Sequence, residues 1–288
     1  MVTPTGKREA VTAIVEGTGM SQRRACGLVN VSRTTVRYRR RPREGDAELR
    51  ATLKALAFAK PRYGYQRLWN ELRRSGRLVN RKRVYRLYKL ESLQVRRRTR
   101  RKLCSGPRTP PATPQRPDER WSMDFMQDTT SDGRPFRLLN IIDDCSREWV
   151  GLDVGRSLPG VRVVSTLERL RLEGRLPKEI VMDNGPEFTS KALDMWASTH
   201  GVKIHFSRPG KPTDNAFVES FNGKLRDECL SMNWFLGVDD ARRKLEDHQV
   251  VYNESRPHRA LGFQTPKEFA ATFACKNEPP TDAQPALT

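Results

Sequence analysis

Hydrophobic and polar positions fall into two regimes along the chain. Up to about residue 106, apolar residues recur at helical spacing in short pieces broken by Gly, Asn and Ser. In 21–41, Ser21 is placed to cap a helix with Ala25, Leu28 and Val29 as its apolar set. Ser32 then caps a second piece carrying Arg33, Thr34, Arg37 and Tyr38. In 63–93, Leu68, Trp69 and Leu72 face inward on a helix that Gly76 ends. Asn80 caps the next, with Val84, Leu87, Tyr88 and Leu93 inside and Arg81, Lys82, Arg83 and Arg86 outside. Two short helices joined by a turn, twice over and both basic, predict tandem helix-turn-helix segments. A small bundle with a solvated basic face gives the same pattern.

Beyond residue 119 the period changes to two. The segments 120–127, 136–144 and 148–155 alternate as strands, with a turn at 131–135, and predict an antiparallel meander. A helix follows over 160–173, a short buried strand over 179–183, a helix over 190–201 stopped by Gly201, and a strand over 202–207. The stretch "PGKPTDNAFVESFNGKLRDE" (209–228) opens as a loop and becomes a helix with Thr213 or Asp214 as cap. Phe217, Phe221 and Leu225 are its expected buried stripe, and Glu219, Asn222 and Arg226 share another face. A longer helix covers 238–253, and in the segment "YNESRPHRAL" Tyr252, Arg256 and His258 are expected to cap the last helix or pack it against the core. Paired strands followed by alternating helix and strand predict an α/β mixed sheet flanked by helices.

Charge sharpens the division. The chain has 288 residues and a formal charge of +20. Residues 1–108 hold 30 Lys and Arg against 7 Asp and Glu, whereas 109–288 hold 24 against 27. That asymmetry points to a segment that meets a polyanion, nucleic acid first. Five scattered cysteines without a CxxC pair argue against a disulfide framework or a zinc ribbon. All four histidines lie after residue 199, so the basic segment cannot form a Cys/His finger. No apolar run is long enough to span a bilayer and the start shows no signal peptide, so a cytosolic protein is expected. Five prolines within 107–117 mark an extended spacer.

Three acids stand in unusual places. Asp124 interrupts the first strand between Met123 and Phe125; Asp183 ends the buried strand before Asn184-Gly185; Glu219 lies one turn into its helix. An Asp before Asn-Gly also suits a turn, and a Glu near a helix start suits the macrodipole. A mid-strand Asp among apolar residues has no such excuse. Close carboxylates raise one another's pKa and call for hard divalent cations, chiefly Mg²⁺ or Mn²⁺.

The acids with "RWSMDF", "DNGPEF", "PGKPTDNAFVESFNGKLRDE", "YNESRPHRALGFQTPKEF" and "RYGYQRLWNELRRSG…NRKRVYRLYKLESL" resemble the OrfB-type transposases of bacterial insertion sequences. These belong to the retroviral-integrase-like DDE superfamily. The resemblance covers about 20–272 and implies an RNase H-like integrase catalytic core, preceded by all-helical DNA-binding segments. It implies Asp124, Asp183 and Glu219 as catalytic and metal-binding residues, holding two Mg²⁺ (or Mn²⁺), with Asp124 bridging. It further implies Arg226 as the basic residue seven after the glutamate, where many members carry Lys. Partners would be element ends and target DNA, a second copy at least, and in many members an upstream-frame fusion partner. Expected DNA contacts are Arg33, Thr34, Arg37, Arg81, Lys82, Arg83, Arg86, Asn184, Lys211, Asn222 and Arg226.

The expected organisation is a helix-turn-helix-like segment (1–45), a basic helical DNA-binding domain (46–106), a linker (107–118), the catalytic core (119–275) and a disordered tail (276–288). Two alternatives remain open: a non-catalytic DNA-binding regulator derived from a transposase, and a host nuclease or resolvase on the same fold.

Overall fold

A computed structural model describes residues 3–38, 44–95, 114–208 and 215–274. The arginine run at 96–102, most of the expected spacer, Lys211, the expected caps Thr213 and Asp214, and the tail lie outside the described residues. The chain divides into two compact units, Met1–Ala55 and Leu56–Thr288.

The first unit contains α1 (Pro4–Thr18), α2 (Gln22–Leu28) and α3 (Arg33–Arg37), and α4 (Asp46–Ala59) begins in it. The sequence pattern assigned no element to α1. That helix is capped by Thr3 and ended by Gly19 at φ 65°. Val11 on α1 packs with Ala25 and Cys26 on α2, flanked by Ile14, Val15, Val29 and Val36. Leu28, expected inside, is 66% exposed. The smaller Cys26 takes the buried place instead, because α1 approaches from that side. Ser32 caps α3 as expected, accepting from Thr35 N at 3.1 Å.

The second unit opens with α5 (Tyr65–Arg74) and α6 (Arg81–Leu90). Leu68, Leu72, Val84, Leu87 and Tyr88 are buried, and Asn80 caps α6 by accepting from Lys82 N at 2.8 Å. Trp69 is only half-buried, its indole donating to Val79 O at 2.7 Å.

The sheet comprises β1 (Arg120–Thr129), β2 (Pro135–Asp143), β3 (Trp149–Gly155), β4 (Glu179–Met182) and β5 (Lys203–Phe206), in the order β3-β2-β1-β4-β5. The first three strands form the expected antiparallel meander. β4 and β5 add in parallel through α7 (Gly160–Leu172) and α8 (Lys191–His200). The chain ends in α9 (Ala216–Glu228), α10 (Val238–Val250) and α11 (Pro266–Ala274). Alternation sorts side chains onto two faces. Trp121, Met123, Leu139, Ile141, Ile180 and Met182 pack against α7 and α8. Met126, Leu138 and Ile142 pack on the opposite face against Val218, Phe221 and Leu225 of α9 and Leu245 of α10. The buried stripe of α9 therefore begins at Val218; Phe217, expected in it, is outside the core beneath the Arg147 guanidinium, 3.8 Å from its ring centre.

The α5–α6 pair, expected as a separate domain, falls in the same compact unit as the sheet. Charged contacts hold it there. Arg67 donates to Glu228 at 3.2 Å, Arg74 makes two bonds to Glu268 at 2.9 and 2.6 Å, and Asn70 donates to Phe263 O at 3.1 Å. Glu228 is also gripped by Arg256 through bonds of 2.6 and 2.7 Å. Arg256 is 2% exposed and shares its remaining nitrogen with His258 Nε2 at 3.1 Å. Since guanidinium only donates, that imidazole nitrogen accepts, and His258 is neutral. Burial, with Arg256 and Lys224 beside it, holds the imidazole down to about 2. Tyr252, Arg256 and His258 thus do pack into the core.

Burial alone would raise the Glu228 carboxyl, but hydrogen bonds and charge from Arg256, with Arg67, hold it below the ordinary range. Removing this partner strands a buried guanidinium. Glu228→Ala should therefore destabilise the second unit by about 3–5 kcal/mol in urea unfolding. Because the folded-state pKa is depressed, the contribution of Glu228 is present above the unfolded carboxyl value and is lost as pH falls through the folded one. Wild type should weaken more than Glu228→Ala between pH 5 and 3. Equal slopes for the two proteins would contradict the assignment.

Candidate active site

Asp124 lies opposite Asn140 in the β1–β2 pairing. The parallel β1–β4 pairing runs Arg120↔Glu179, Trp121↔Ile180 and Ser122↔Val181. Two further steps set Asp124 beside Asp183. Both acids have the parity of the face that α9 covers, since their neighbours Met123 and Met182 point to the other core. Asp183 follows β4 directly, at its carboxyl end, where an exposed side chain can leave the sheet.

Helix α9 is seated on this pair by two asparagines. Asn215, just before the helix, donates to Met123 O at 3.0 Å. Asn222 is 8% exposed, and its Nδ2 donates to Asp124 Oδ2 at 2.7 Å. Its Oδ1 accepts from Asn140 Nδ2 at 2.8 Å. Asn222 was expected to meet a phosphate; its amide is instead committed inward, because it is the one polar side chain in a buried stripe that otherwise reads Val218, Phe221, Leu225. Glu219 stands three residues earlier, in the first turn, on the side that Asn222 faces.

Burial raises the Asp124 carboxyl to about 6, and the charges of Asp183 and Glu219 push the same way, against hydrogen bonds from Phe125 N and Asn222. The Glu219 carboxyl is raised by burial alone. Asp124 is thus where the negative field converges. Asp124, Asp183 and Glu219 offer only oxygen donors, the chemistry that suits a hard divalent cation; elsewhere on these elements Asn140 Oδ1 and Asn215 Oδ1 are buried without a hydrogen-bond partner.

The set is not closed. Among the described residues, no three of His, Cys, Asp and Glu stand close enough to hold a metal ion together. Asp124 accepts from Phe125 N at 2.9 Å and from Asn222, and Asp183 accepts from Gly185 N at 3.0 Å. Gly185 permits this, since a Cβ there would lie 3.0 Å from Asp183 Oδ1. Glu219 stays exposed at the rim.

The other expected contacts divide. Arg33, Thr34, Arg81 and Lys82 are exposed, whereas Arg83 and Arg86, expected outside, are half-buried, with Arg86 Nε buried. Arg37 donates to Gln22 at 3.1 Å. Asn184 is exposed but donates to Ser207 O at 3.0 Å, tying the end of β4 to that of β5. Arg226 is exposed beside β1, donating weakly to Gln127 O at 3.4 Å. Asn140 and Asn215 were missed by the sequence pattern. Asn140 carried a legible signal, as the polar break in "LLNII"; Asn215 sat unremarked in a loop.

An integrase core domain family matches residues 114–212, and a second integrase core family matches 200–266. A helix-turn-helix Psq domain matches 8–46 and an HTH-like domain 44–101. The chain is 42% identical over 274 residues to an uncharacterized 31.7 kDa protein of insertion element IS407 from Burkholderia multivorans, covering 95% of this chain and 99% of that one. It is 40% identical over 270 residues to an uncharacterized 39.2 kDa protein of insertion element IS476 from Xanthomonas euvesicatoria, covering 94% and 78%. The transposase InsD of insertion element IS2 from Escherichia coli is 27% identical over 228 residues, 75% of each chain. Among solved structures, a simian T-cell lymphotropic virus intasome in complex with the PP2A regulatory subunit B56 gamma superposes with TM-score 0.52 at 18% identity. The match covers 82% of this chain and 80% of that one, a likeness of fold. The RNase H-like mixed sheet and the helix-turn-helix segments stand as expected.

Removing the charge nearest Asp124 favours its ionised form. In metal-free protein followed by NMR, Asp183→Asn should therefore lower the Asp124 carboxyl from about 6 towards the ordinary aspartate range. An unchanged titration would mean that the two side chains do not share one site.

Proposed function

The chain belongs to the insertion-element transposases built on an integrase core behind helix-turn-helix segments, and from that premise we propose that it cuts and joins DNA strands at the ends of its element in a metal-dependent reaction. One observation carries this reading: the β1–β4 register, carried two residues past Ser122↔Val181, aligns Asp124 with Asp183, and the helix clamped onto Asp124 by Asn222 is the helix that bears Glu219.

Asp124, Asp183 and Glu219 are the residues that would hold Mg²⁺ or Mn²⁺. Bound cations would supply Lewis-acid stabilisation of the attacking and leaving oxygens in an in-line displacement. Asn222 fixes the Asp124 carboxylate, so that one ligand is oriented before anything binds. Asp183 and Glu219 would supply the remaining carboxylate oxygens of that set. Arg226, seven residues beyond Glu219 and exposed, and Lys211, outside the described residues, are placed in sequence to neutralise a phosphate. In the first displacement, water attacks a phosphodiester at the element end; the P–O3′ bond breaks, leaving a 3′-OH and a 5′-phosphate. In the second, that 3′-OH attacks a target phosphodiester and a new 3′-OH departs. Neither step needs a covalent enzyme intermediate, so no Ser or Tyr nucleophile is required.

Arg33, Thr34, Arg37, Arg81 and Lys82 are polar side chains at the surface of the helix-turn-helix segments and supply element-end binding in this reading. Holding two ends together calls for at least two copies, working on DNA in the bacterial cytosol. The open ligand set is also what a non-catalytic DNA-binding relative would display, and one experiment separates the two.

With Mg²⁺ or Mn²⁺ and DNA carrying the element ends, Asp183→Asn and Glu219→Gln should each lower cleavage and joining at least about 100-fold, beyond the loss typical of an outer-shell partner. End binding, read by anisotropy, should stay within about twofold. A wild type that binds ends but never cuts them supports the non-catalytic reading; variants that cut normally contradict the assigned ligands.

A further inference from the structure

The flank of α9 turned away from the acids borders a cleft of about 680 Å³. Phe217, Ser220 and Lys224 form one wall, and Ile142, Phe221 and Tyr252 are among the apolar residues lining it. Arg67, Arg147, Arg256 and Arg259 also line it. Among the described residues, no carboxylate lines it. Glu228 engages Arg67 and Arg256. The Arg147 guanidinium lies over the Phe217 ring, 3.8 Å from its centre, within the field of Asp144, and among the described residues the side chains of Lys224 and Arg259 have no hydrogen bond or ion pair. Burial, with Arg256 and Arg67 close by, pushes the Lys224 ammonium down to about 8. This is a strained cation that an anion would relieve. Such a low-dielectric basic cleft focuses negative charge.

A second cleft of about 440 Å³ adjoins the first. It shares Arg67 and Arg259 and continues past Arg62, Tyr65 and Gln66 at the start of α5. Two basic clefts in series, with aromatic walls between the cations, exceed what one small anion needs. They suit a chain of phosphates carrying apolar groups between them. Along α9, Lys224 lies five residues beyond Glu219, on the order of 7.5 Å of helix rise. A strand leaving the acids would therefore reach the cleft within a few nucleotides.

We propose that this double cleft is a strand channel that holds the phosphodiester backbone of one DNA strand, with Lys224 and Arg259 as direct phosphate contacts. The proposal rests on the transposase reading and deepens it, by naming where a strand runs after it leaves the acidic site.

The test measures binding of a single-stranded oligonucleotide to the full chain by fluorescence anisotropy between 50 and 200 mM salt, without divalent metal. Removing one cation that neutralises a phosphate lowers the slope of log K against log[salt] by about 0.7. Arg259→Gln, an exposed change, should lower it by about 0.7, and Lys224→Gln with Arg259→Gln by about 1.4. Lys224→Arg should keep the wild-type slope. Inorganic phosphate should compete no better than chloride at equal ionic strength. An unchanged slope in Arg259→Gln, or in a double variant with the wild-type unfolding midpoint, overturns the channel. Displacement of the oligonucleotide by millimolar phosphate also overturns it, in favour of a small-anion site. Failure here leaves cleavage by the wild type untouched, whereas failure of the Asp183→Asn and Glu219→Gln tests leaves these slopes untouched, so the two readings fall separately.

Discussion

A hydrogen bond of 2.7 Å between Asn222 and Asp124 settles how α9 lies on the sheet. A carboxylate in the middle of a strand cannot be covered by an apolar helix face without a donor. The helix provides one at the only polar position of its buried stripe, and Asn140 secures the other end of the same amide. Once Asn222 is pinned, the rotation of α9 is no longer free. Glu219 must then face the acids, Val218, Phe221 and Leu225 must enter the core, and Glu228 must come out beside Arg256. A single buried amide thus couples the position of one candidate ligand to the protonation and orientation of another.

The same helix separates two opposite fields. On one flank, burial and the charges of Asp183 and Glu219 raise the Asp124 carboxyl. On the other, Arg147, Lys224 and Arg259 face a cleft with too few carboxylates. Each flank is costly by itself, and each is relieved by what the other lacks: cations for the acids, phosphates for the bases. Glu228, between Arg67 and Arg256, ties the basic flank to α5. The helical segment ahead of the core is therefore part of the walls of the basic cleft.

Much of this was legible along the chain, for reasons that can be named. The meander and the β–α–β–α–β run follow from the switch of period after residue 119. Asp124 declares itself by breaking alternation between Met123 and Phe125. What stayed hidden depends on partners distant in sequence. Asn222 looked like an outward residue because helical spacing places it near Glu219 and Arg226; its partners Asp124 and Asn140 lie 98 and 82 positions away. Phe217 looked like core because large aromatics usually are, yet Val218 fits the space under the helix and Phe217 becomes a platform for Arg147. Arg67 and Arg74 give no sign in the sequence of their partners Glu228 and Glu268, which lie 161 and 194 positions away. Helix α1 escaped notice because few apolar residues mark its inward side.

The central claim is that Asp124, Asp183 and Glu219 serve one metal centre. Diffraction from crystals of the full chain soaked in Mn²⁺, with anomalous differences to locate the metal, tests it most directly. The account predicts Mn²⁺ between Asp124 and Asp183, with the Gly185 bond released, Glu219 turned inward and the Asn222 bond intact. Manganese absent from that position at saturating concentration, with Glu219 still at the rim, would contradict it.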